Sequence, residues 1–128
     1  LEFGLFDFRL HAEYQPEQGA KILETLAEIK KQVAVVPGPS WGRFPHAFSH
    51  IFAGGYAAGY YSYLWANVLD NDAFEAFKEH GIFDKATADL FRRNVLEKGD
   101  SEDPMTLYKN FRGSEPQLEP MLKNRGMK

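Results

Sequence analysis

A helical repeat of aliphatic residues sets the fold class of this chain. Ile22, Leu26, Ile29, Val33 and Val36 recur at intervals of three or four residues, which places their side chains along one face of an α-helix. Charge pairs on the polar side of a helix add little stability. Burial of the aliphatic face must therefore supply it, so the segment predicts a helix packed against the rest of the domain.

Helix-breaking residues mark where this helix and the next one end. The run from Pro37 to Pro39 ends the aliphatic helix, because proline lacks a backbone N–H and disfavours helical dihedral angles in the residue before it. Further glycines and prolines make residues 37–55 the longest predicted loop. Helical spacing then resumes, and a helix over residues 56–80 is predicted to end at Gly81.

Capping residues predict more helices towards the C-terminus. Asp84 is suited to cap one helix, Asp103 followed by proline to open the next, and Ser114 to form a capping box for the last. The N-terminal residues alternate as in a strand but also follow a helical stripe, the interpretation that we prefer. The helices that these signals predict span residues 1–14, 84–98, 104–112 and 114–126. With about six helices and no convincing hairpin, the sequence predicts an all-α fold and a single helical domain over residues 1–128.

Charge and cysteine content exclude several classes of function. The chain has 15 Lys and Arg residues against 18 Asp and Glu residues, a formal net charge of -3, so neither a nucleic acid nor a membrane surface is an expected partner. It has no Cys, which excludes disulfides, thiolate catalysis and a Cys-containing zinc site. No apolar run reaches the roughly 20 residues needed to span a bilayer. Because it begins at Leu1 within an aromatic-rich pattern, we expect a piece of a longer protein.

The segment most suggestive of chemistry joins two glycines to a series of tyrosines. Gly54 and Gly55 permit positive φ and close approach of the backbone, as a ligand-facing loop requires. Tyr56, Tyr60 and Tyr63 follow at helical spacing, which predicts three phenols on one helical face. Such a stripe is often a half-buried packing face. Alternatively, its hydroxyls donate hydrogen bonds to a substrate carbonyl or to the oxyanion that forms from it.

Two histidines in the same loop have the spacing of a zinc pair. His46 and His50 are four residues apart, but the catalytic HExxH motif requires Glu after the first His, where this chain has Ala47. Pro45 and the glycines also argue against a regular helix here. We therefore predict no metal site in this chain, a substrate-binding hydrogen bond for His50 and a structural place in the loop for His46.

Taken together, these segments resemble the thimet-oligopeptidase family of zinc metallopeptidases, most closely its bacterial branch. The resemblance rests on residues 48–51 (FSHI) and 53–65 (AGGYAAGYYSYLW), with residues 3–11 and 101–117 similar to the flanking segments of that family. It implies a cytoplasmic enzyme that hydrolyses short peptides in a deep helical channel. The chain would then be the C-terminal helical part of a zincin-like catalytic domain.

The resemblance also implies roles for particular residues. Tyr56 and Tyr63 correspond to tyrosines that polarise the scissile carbonyl and stabilise the tetrahedral intermediate. His50 corresponds to a histidine that contacts the substrate, and Tyr60 to a tyrosine that influences substrate choice. The glycine-rich segment with Gly54 and Gly55 corresponds to a flexible loop beside the active site.

The zinc-binding motif of that family is absent from these 128 residues. The resemblance therefore implies that the zinc, its ligands and the general base lie upstream, in an HExxH-containing part of the same polypeptide. We expect the isolated chain to bind no zinc and to be inactive. A dipeptidyl carboxypeptidase of the same family is an alternative, as is a non-enzymatic helical module that docks a partner through its aromatic face.

Overall fold

The computed structural model describes residues 1–127 and consists of helices and turns. Lys128, the last residue of the predicted domain, lies outside the described residues. No β-strand occurs among residues 1–127, so the all-α prediction is confirmed. The six α-helices within residues 1–127 are, in chain order, α1 Glu2–Ala12, α2 Ile22–Val33, α3 Ser62–His80, α4 Lys85–Phe91, α5 Pro104–Arg112 and α6 Glu119–Asn124. Shorter helical turns are the 3-10 helices Pro16–Gln18, Phe44–Ala47 and Ser49–Ile51 and the π-helical turn Arg92–Leu96.

Two compact units divide the chain, the first from Leu1 to Leu64 and the second beginning at Trp65. The core of the first unit joins α1, α2 and the loop that follows them. Its buried residues are Phe6, Leu26, Ile29, Phe48 and Ile51. Two of these, Leu26 and Ile29, belong to the aliphatic repeat, so their burial stabilises α2 as expected. The prediction is wrong for Val36, because α2 ends at Val33 and Val36 lies beyond it with 77% of its surface exposed.

The core of the second unit lies between α3 and α5. It contains Ala73, Ala76, Tyr108 and Phe111 as buried residues. Asp72 is also buried, with 2% of its surface exposed, and it accepts a hydrogen bond of 2.5 Å from the hydroxyl of Tyr108. Burial and this hydrogen bond together raise the pKa of Tyr108 above its ordinary range, so the phenol stays protonated.

Helix α3 begins at Ser62 rather than at residue 56, and here the sequence prediction is wrong. Residues before Ser62 form turns, because Gly55 and Ala58 have φ angles of +80° and +53°. A left-handed φ is incompatible with a right-handed α-helix. The predicted loop over 37–55 is also more ordered than expected, since it contains two of the 3-10 helices.

Two further helix boundaries differ from the prediction. The helix capped by Asp84 passes at Arg92 into a π-helical turn instead of running as an α-helix to about residue 98. The last helix begins at Glu119, and Ser114 does not cap it. The side chain of Gln117, the last residue of the expected capping box, instead donates a hydrogen bond of 3.1 Å to the carbonyl oxygen of Glu115.

Candidate active site

A tight turn after the third 3-10 helix presents the candidate residues. The carbonyl oxygen of Ser49 accepts hydrogen bonds of 2.8 Å from the N–H groups of Ala53 and Gly54. The N–H of Tyr56 then donates to the carbonyl oxygen of His50 at 3.0 Å. Gly55 lies between them with a φ of +80°, a conformation that glycine adopts at little cost. The backbone therefore folds back so that Tyr56 lies next to His50.

Gly54 allows the backbone to approach itself closely at this point. A Cβ atom on Gly54 would lie 2.8 Å from the Cα of His50 and 3.1 Å from its carbonyl oxygen. Those atoms belong to the backbone and cannot rotate away, so any side chain at position 54 would displace His50. The two glycines thus serve different needs, space at Gly54 and backbone conformation at Gly55.

The rings of His50 and the three tyrosines form one cluster. The ring centroid of Tyr63 lies 5.1 Å from that of Tyr56 and 5.0 Å from that of Tyr60. The His50 ring lies between 5.7 and 6.3 Å from each of the three tyrosine rings. Their proximity does not come from one helical face, because Tyr56 and Tyr60 precede α3 and only Tyr63 is in its first turn.

Exposure separates the members of this aromatic cluster. Tyr56 and Tyr63 are 36% and 43% exposed, so a ligand in solution can reach their side chains. Tyr60 is half-buried, and its ring packs edge-on against Phe48 at 4.8 Å. Tyr60 therefore packs against the core, while Tyr56 and Tyr63 remain accessible.

The protonation state of Tyr63 suits a hydrogen-bond donor. Its hydrogen bond with Tyr56 raises the pKa of the Tyr63 phenol, and desolvation and the neighbouring phenol of Tyr60 act in the same direction. A phenol whose pKa lies above its ordinary range is neutral at neutral pH. Tyr63 therefore keeps its O–H proton and can donate it to a carbonyl oxygen or an oxyanion.

Sequence reasoning missed one residue that supports the turn. Asp7 in α1 is fully buried, and its carboxylate accepts hydrogen bonds from the backbone N–H groups of Ala58 and Tyr60. Its partners lie more than 50 residues further along the chain, so no local spacing announces them. The available signal was a single acidic residue between Phe6 and Phe8, because a carboxylate among apolar neighbours requires partners.

The residues described here do not fit a metal site. Within residues 1–127 no group of three or more His, Asp or Glu side chains is arranged to hold a metal ion. His46 and His50 lie on two successive 3-10 helices, Phe44–Ala47 and Ser49–Ile51, rather than on one helical turn. The chemistry of this cluster is therefore that of phenol and imidazole groups, which donate and accept hydrogen bonds.

Comparison with known proteins identifies the family. A family profile described as Peptidase family M3 matches residues 1–127, and the chain therefore belongs to Peptidase family M3. It is 73% identical to Oligopeptidase A of Escherichia coli (strain K12), over 100% of this chain and 19% of that protein. It is 43% identical to Probable cytosolic oligopeptidase A of Arabidopsis thaliana, over 99% of this chain and 19% of that protein.

More distant relatives include a protein of different name. Dipeptidyl carboxypeptidase of Salmonella typhimurium is 39% identical over 99% of this chain and 19% of its own length. The chain thus spans about a fifth of the length of the curated relatives it matches.

In the part of the chain that the structure describes, no helix combines the length and the apolar character needed to cross a membrane.

Proposed function

We propose that this chain is the substrate-side, C-terminal part of a zinc oligopeptidase, in which Tyr56 and Tyr63 donate hydrogen bonds to the carbonyl oxygen of the scissile peptide bond. The observation that carries this proposal is the pair of accessible phenols with ring centroids 5.1 Å apart. The identity of 73% to a protein named Oligopeptidase A supports the activity. Family membership favours a peptidase over a non-enzymatic docking module.

Tyr56 and Tyr63 would act on the charge that develops during hydrolysis. When water adds to a peptide carbonyl, its oxygen becomes an oxyanion, and neutral donors aimed at that oxygen stabilise the transition state. Because Tyr63 keeps its proton at neutral pH, it donates without a prior proton transfer. Tyr56 lies beside it and is the second donor.

His50 and Tyr60 would bind the rest of the peptide. The His50 side chain is exposed and carries both a donor and an acceptor nitrogen, which match the N–H and C=O groups of a peptide backbone. Tyr60 packs against Phe48 and Tyr63, so its ring would shape the space open to a substrate side chain. Gly54 and Gly55 set the backbone that carries them.

Zinc in such an enzyme supplies an activated water, and we assign its ligands to an HExxH-containing segment upstream of this chain. The isolated chain is then inactive and binds no zinc of its own. Its partners are that upstream segment and short peptides. A cytoplasmic location is supported by the relative named Probable cytosolic oligopeptidase A.

A dipeptidyl carboxypeptidase is the second candidate, because a protein of that name is 39% identical over 99% of this chain. The two activities differ in the products that they release from one peptide. An oligopeptidase cleaves internal bonds of a peptide with a C-terminal amide, whereas removal of dipeptides requires a free C-terminal carboxylate. Mass spectrometry of the products from matched amidated and free peptides decides between them.

Replacement of single hydroxyl groups in the intact protein tests the proposed roles. We expect Tyr63→Phe and Tyr56→Phe each to lower kcat/KM for a fluorogenic peptide by roughly 100-fold, the effect of losing one oxyanion donor. Tyr61→Phe is the matched control, because Tyr61 is also exposed but stacks on Phe8, with ring centroids 5.2 Å apart. Unchanged kcat/KM in Tyr63→Phe would remove that hydroxyl from the mechanism.

A further inference from the structure

Asp7 is a charged side chain in the apolar core of the first unit. It has 0% of its surface exposed and follows Phe6, which is also fully buried. An ionised carboxylate in such surroundings is unfavourable unless hydrogen-bond donors surround it. A neutral side chain of similar size could be buried here at a lower cost in free energy. The contacts of Asp7 explain why a carboxylate occupies this position.

Both carboxylate oxygens of Asp7 bind the backbone of the tyrosine turn. Oδ1 accepts a hydrogen bond of 2.9 Å from the N–H of Ala58, and Oδ2 accepts one of 2.9 Å from the N–H of Tyr60. The Nδ1 atom of His11 lies 2.9 Å from Oδ1. Charge-assisted hydrogen bonds of this kind are stronger than neutral ones and fix direction as well as distance.

Ala58 is the point at which this turn is strained. Its φ angle of +53° makes it the one residue other than glycine with positive φ in the part of the chain described here. Alanine disfavours this conformation and adopts it only when its surroundings enforce it. The hydrogen bond from its N–H to Asp7 is such an enforcing contact.

The carboxylate holds the middle of the segment that joins the two candidate donors. On one side, the carbonyl oxygen of Tyr56 accepts a hydrogen bond of 2.9 Å from Gly59, the residue between the two N–H groups that Asp7 binds. On the other side, the carbonyl oxygen of Tyr60 accepts one of 3.3 Å from Tyr63. A displacement at the centre of this segment would move both phenols.

We propose that Asp7 is a positioning residue for peptide hydrolysis: its buried carboxylate holds Ala58 and Tyr60 so that the phenols of Tyr56 and Tyr63 meet the substrate carbonyl together. This inference rests on the function proposed above. Asp7 touches no substrate and acts only through the backbone of the turn. Loss of its carboxylate therefore lowers turnover even in protein that remains folded.

The variant Asp7→Asn in the intact protein is the test. The carboxamide has the size of the carboxylate, but its NH2 group faces one of the two backbone N–H donors, so one hydrogen bond is lost. We expect kcat to fall about 10-fold or more, because small displacements of catalytic groups have large effects on rate, while KM changes much less. Amide hydrogen exchange over residues 56–61 should become about 10-fold faster, with exchange in α2 unchanged.

Asp72→Asn is the matched control. Asp72 is the other deeply buried aspartate in the part of the chain that the structure describes. It accepts a hydrogen bond from a side-chain hydroxyl rather than from the backbone of the turn. Its replacement should leave kcat and exchange over residues 56–61 unchanged. A fall in kcat as large as that in Asp7→Asn would show that burial of any aspartate matters equally, and would overturn the proposal.

Ala58→Gly provides a second test that does not depend on how well Asp7→Asn folds. Glycine adopts the left-handed conformation without strain, so adding Ala58→Gly to Asp7→Asn should restore several-fold of the lost kcat. No recovery, or unchanged kcat and exchange in Asp7→Asn itself, would overturn the positioning role. If the wild-type protein hydrolyses no peptide, the proposed function fails, while the exchange measurement still decides whether Asp7 holds the turn.

Discussion

Within residues 1–127 each of the two units buries one aspartate, and the two carboxylates have different partners. Asp7 in the first unit binds two backbone N–H groups of an irregular turn. Asp72 in the second unit binds the hydroxyl of Tyr108 and lies 3.7 Å from the Nε atom of Arg112. The first carboxylate fixes the conformation of a half-buried, irregular turn, whereas the second fixes the packing of α3 against α5.

The two aspartates therefore have different effects: Asp7 positions the backbone of a turn, and Asp72 stabilises the packing of two helices. Asp72 and its partner Tyr108 lie in the regular helices α3 and α5, whose backbone groups bond to one another, so Asp72 adds stability to elements whose conformation does not depend on it. In the turn of the first unit, Gly55 and Ala58 both have positive φ angles, a conformation that strains alanine. The conformation of this turn therefore depends on its hydrogen bonds to Asp7. We therefore expect changes around Asp7 to alter turnover and changes around Asp72 to alter unfolding.

The largest expected effect is on stability, from Asp72→Ala. Removal of the carboxylate takes the 2.5 Å acceptor from the buried hydroxyl of Tyr108 and the nearby negative charge from Nε of Arg112, whose two NH2 groups keep their hydrogen bonds to Glu79. We expect this to destabilise the second unit by about 3 kcal/mol. Amide exchange in α5 reports the loss. Turnover per folded molecule should stay at the wild-type level. A parallel loss of turnover would contradict the claim that Asp72 affects stability alone.

A smaller effect, on kcat/KM, is expected from Gly54→Ala. The new Cβ would lie 2.8 Å from the Cα of His50, so the backbone of His50 must shift. A displacement of about 1 Å in a catalytic group lowers kcat/KM by roughly 100-fold. Steady-state kinetics of the intact protein on a fluorogenic peptide measures it, and full activity would show that His50 has room to move.

Gly55→Ala is the matched variant with the smallest expected effect. A Cβ at this position would meet nothing within 4 Å, but the φ of +80° remains unfavourable for alanine. The strain amounts to about 1 kcal/mol, so kcat/KM should fall by roughly 5-fold. A loss as large as that in Gly54→Ala would show that backbone conformation, rather than space beside His50, limits the turn.

Sequence patterns predicted the parts of the fold that depend on near neighbours. Helix α5 begins after Asp103, which accepts a hydrogen bond of 2.9 Å from the N–H of Thr106. It ends at Arg112 and is followed by Gly113 with a φ of +82°. Both signals lie within four residues of the helix ends. The predicted capping box at Ser114 was wrong, because the helix begins only at Glu119 and the side chain of Gln117 binds the carbonyl oxygen of Glu115 instead.

The residues of the candidate site were chosen from the sequence, but the local backbone structure that brings them together was not predicted. Tyr56, Tyr60 and Tyr63 lie together around His50, yet the helical spacing from which their proximity was inferred is broken before Ser62. The turn that replaces it is held by Asp7, more than 50 residues earlier. Contacts between distant segments leave no period in the sequence, so this support could be found only in three dimensions.

Binding of a tetrahedral inhibitor tests the central claim most directly. A phosphinic peptide carries the geometry and charge of the tetrahedral intermediate, so its affinity reports contacts made in the transition state. We predict that Tyr56→Phe and Tyr63→Phe weaken its binding to the intact protein by the same factor, within about 3-fold, by which they lower kcat/KM. Wild-type affinity in both variants would contradict the assignment of these two hydroxyl groups to the substrate carbonyl.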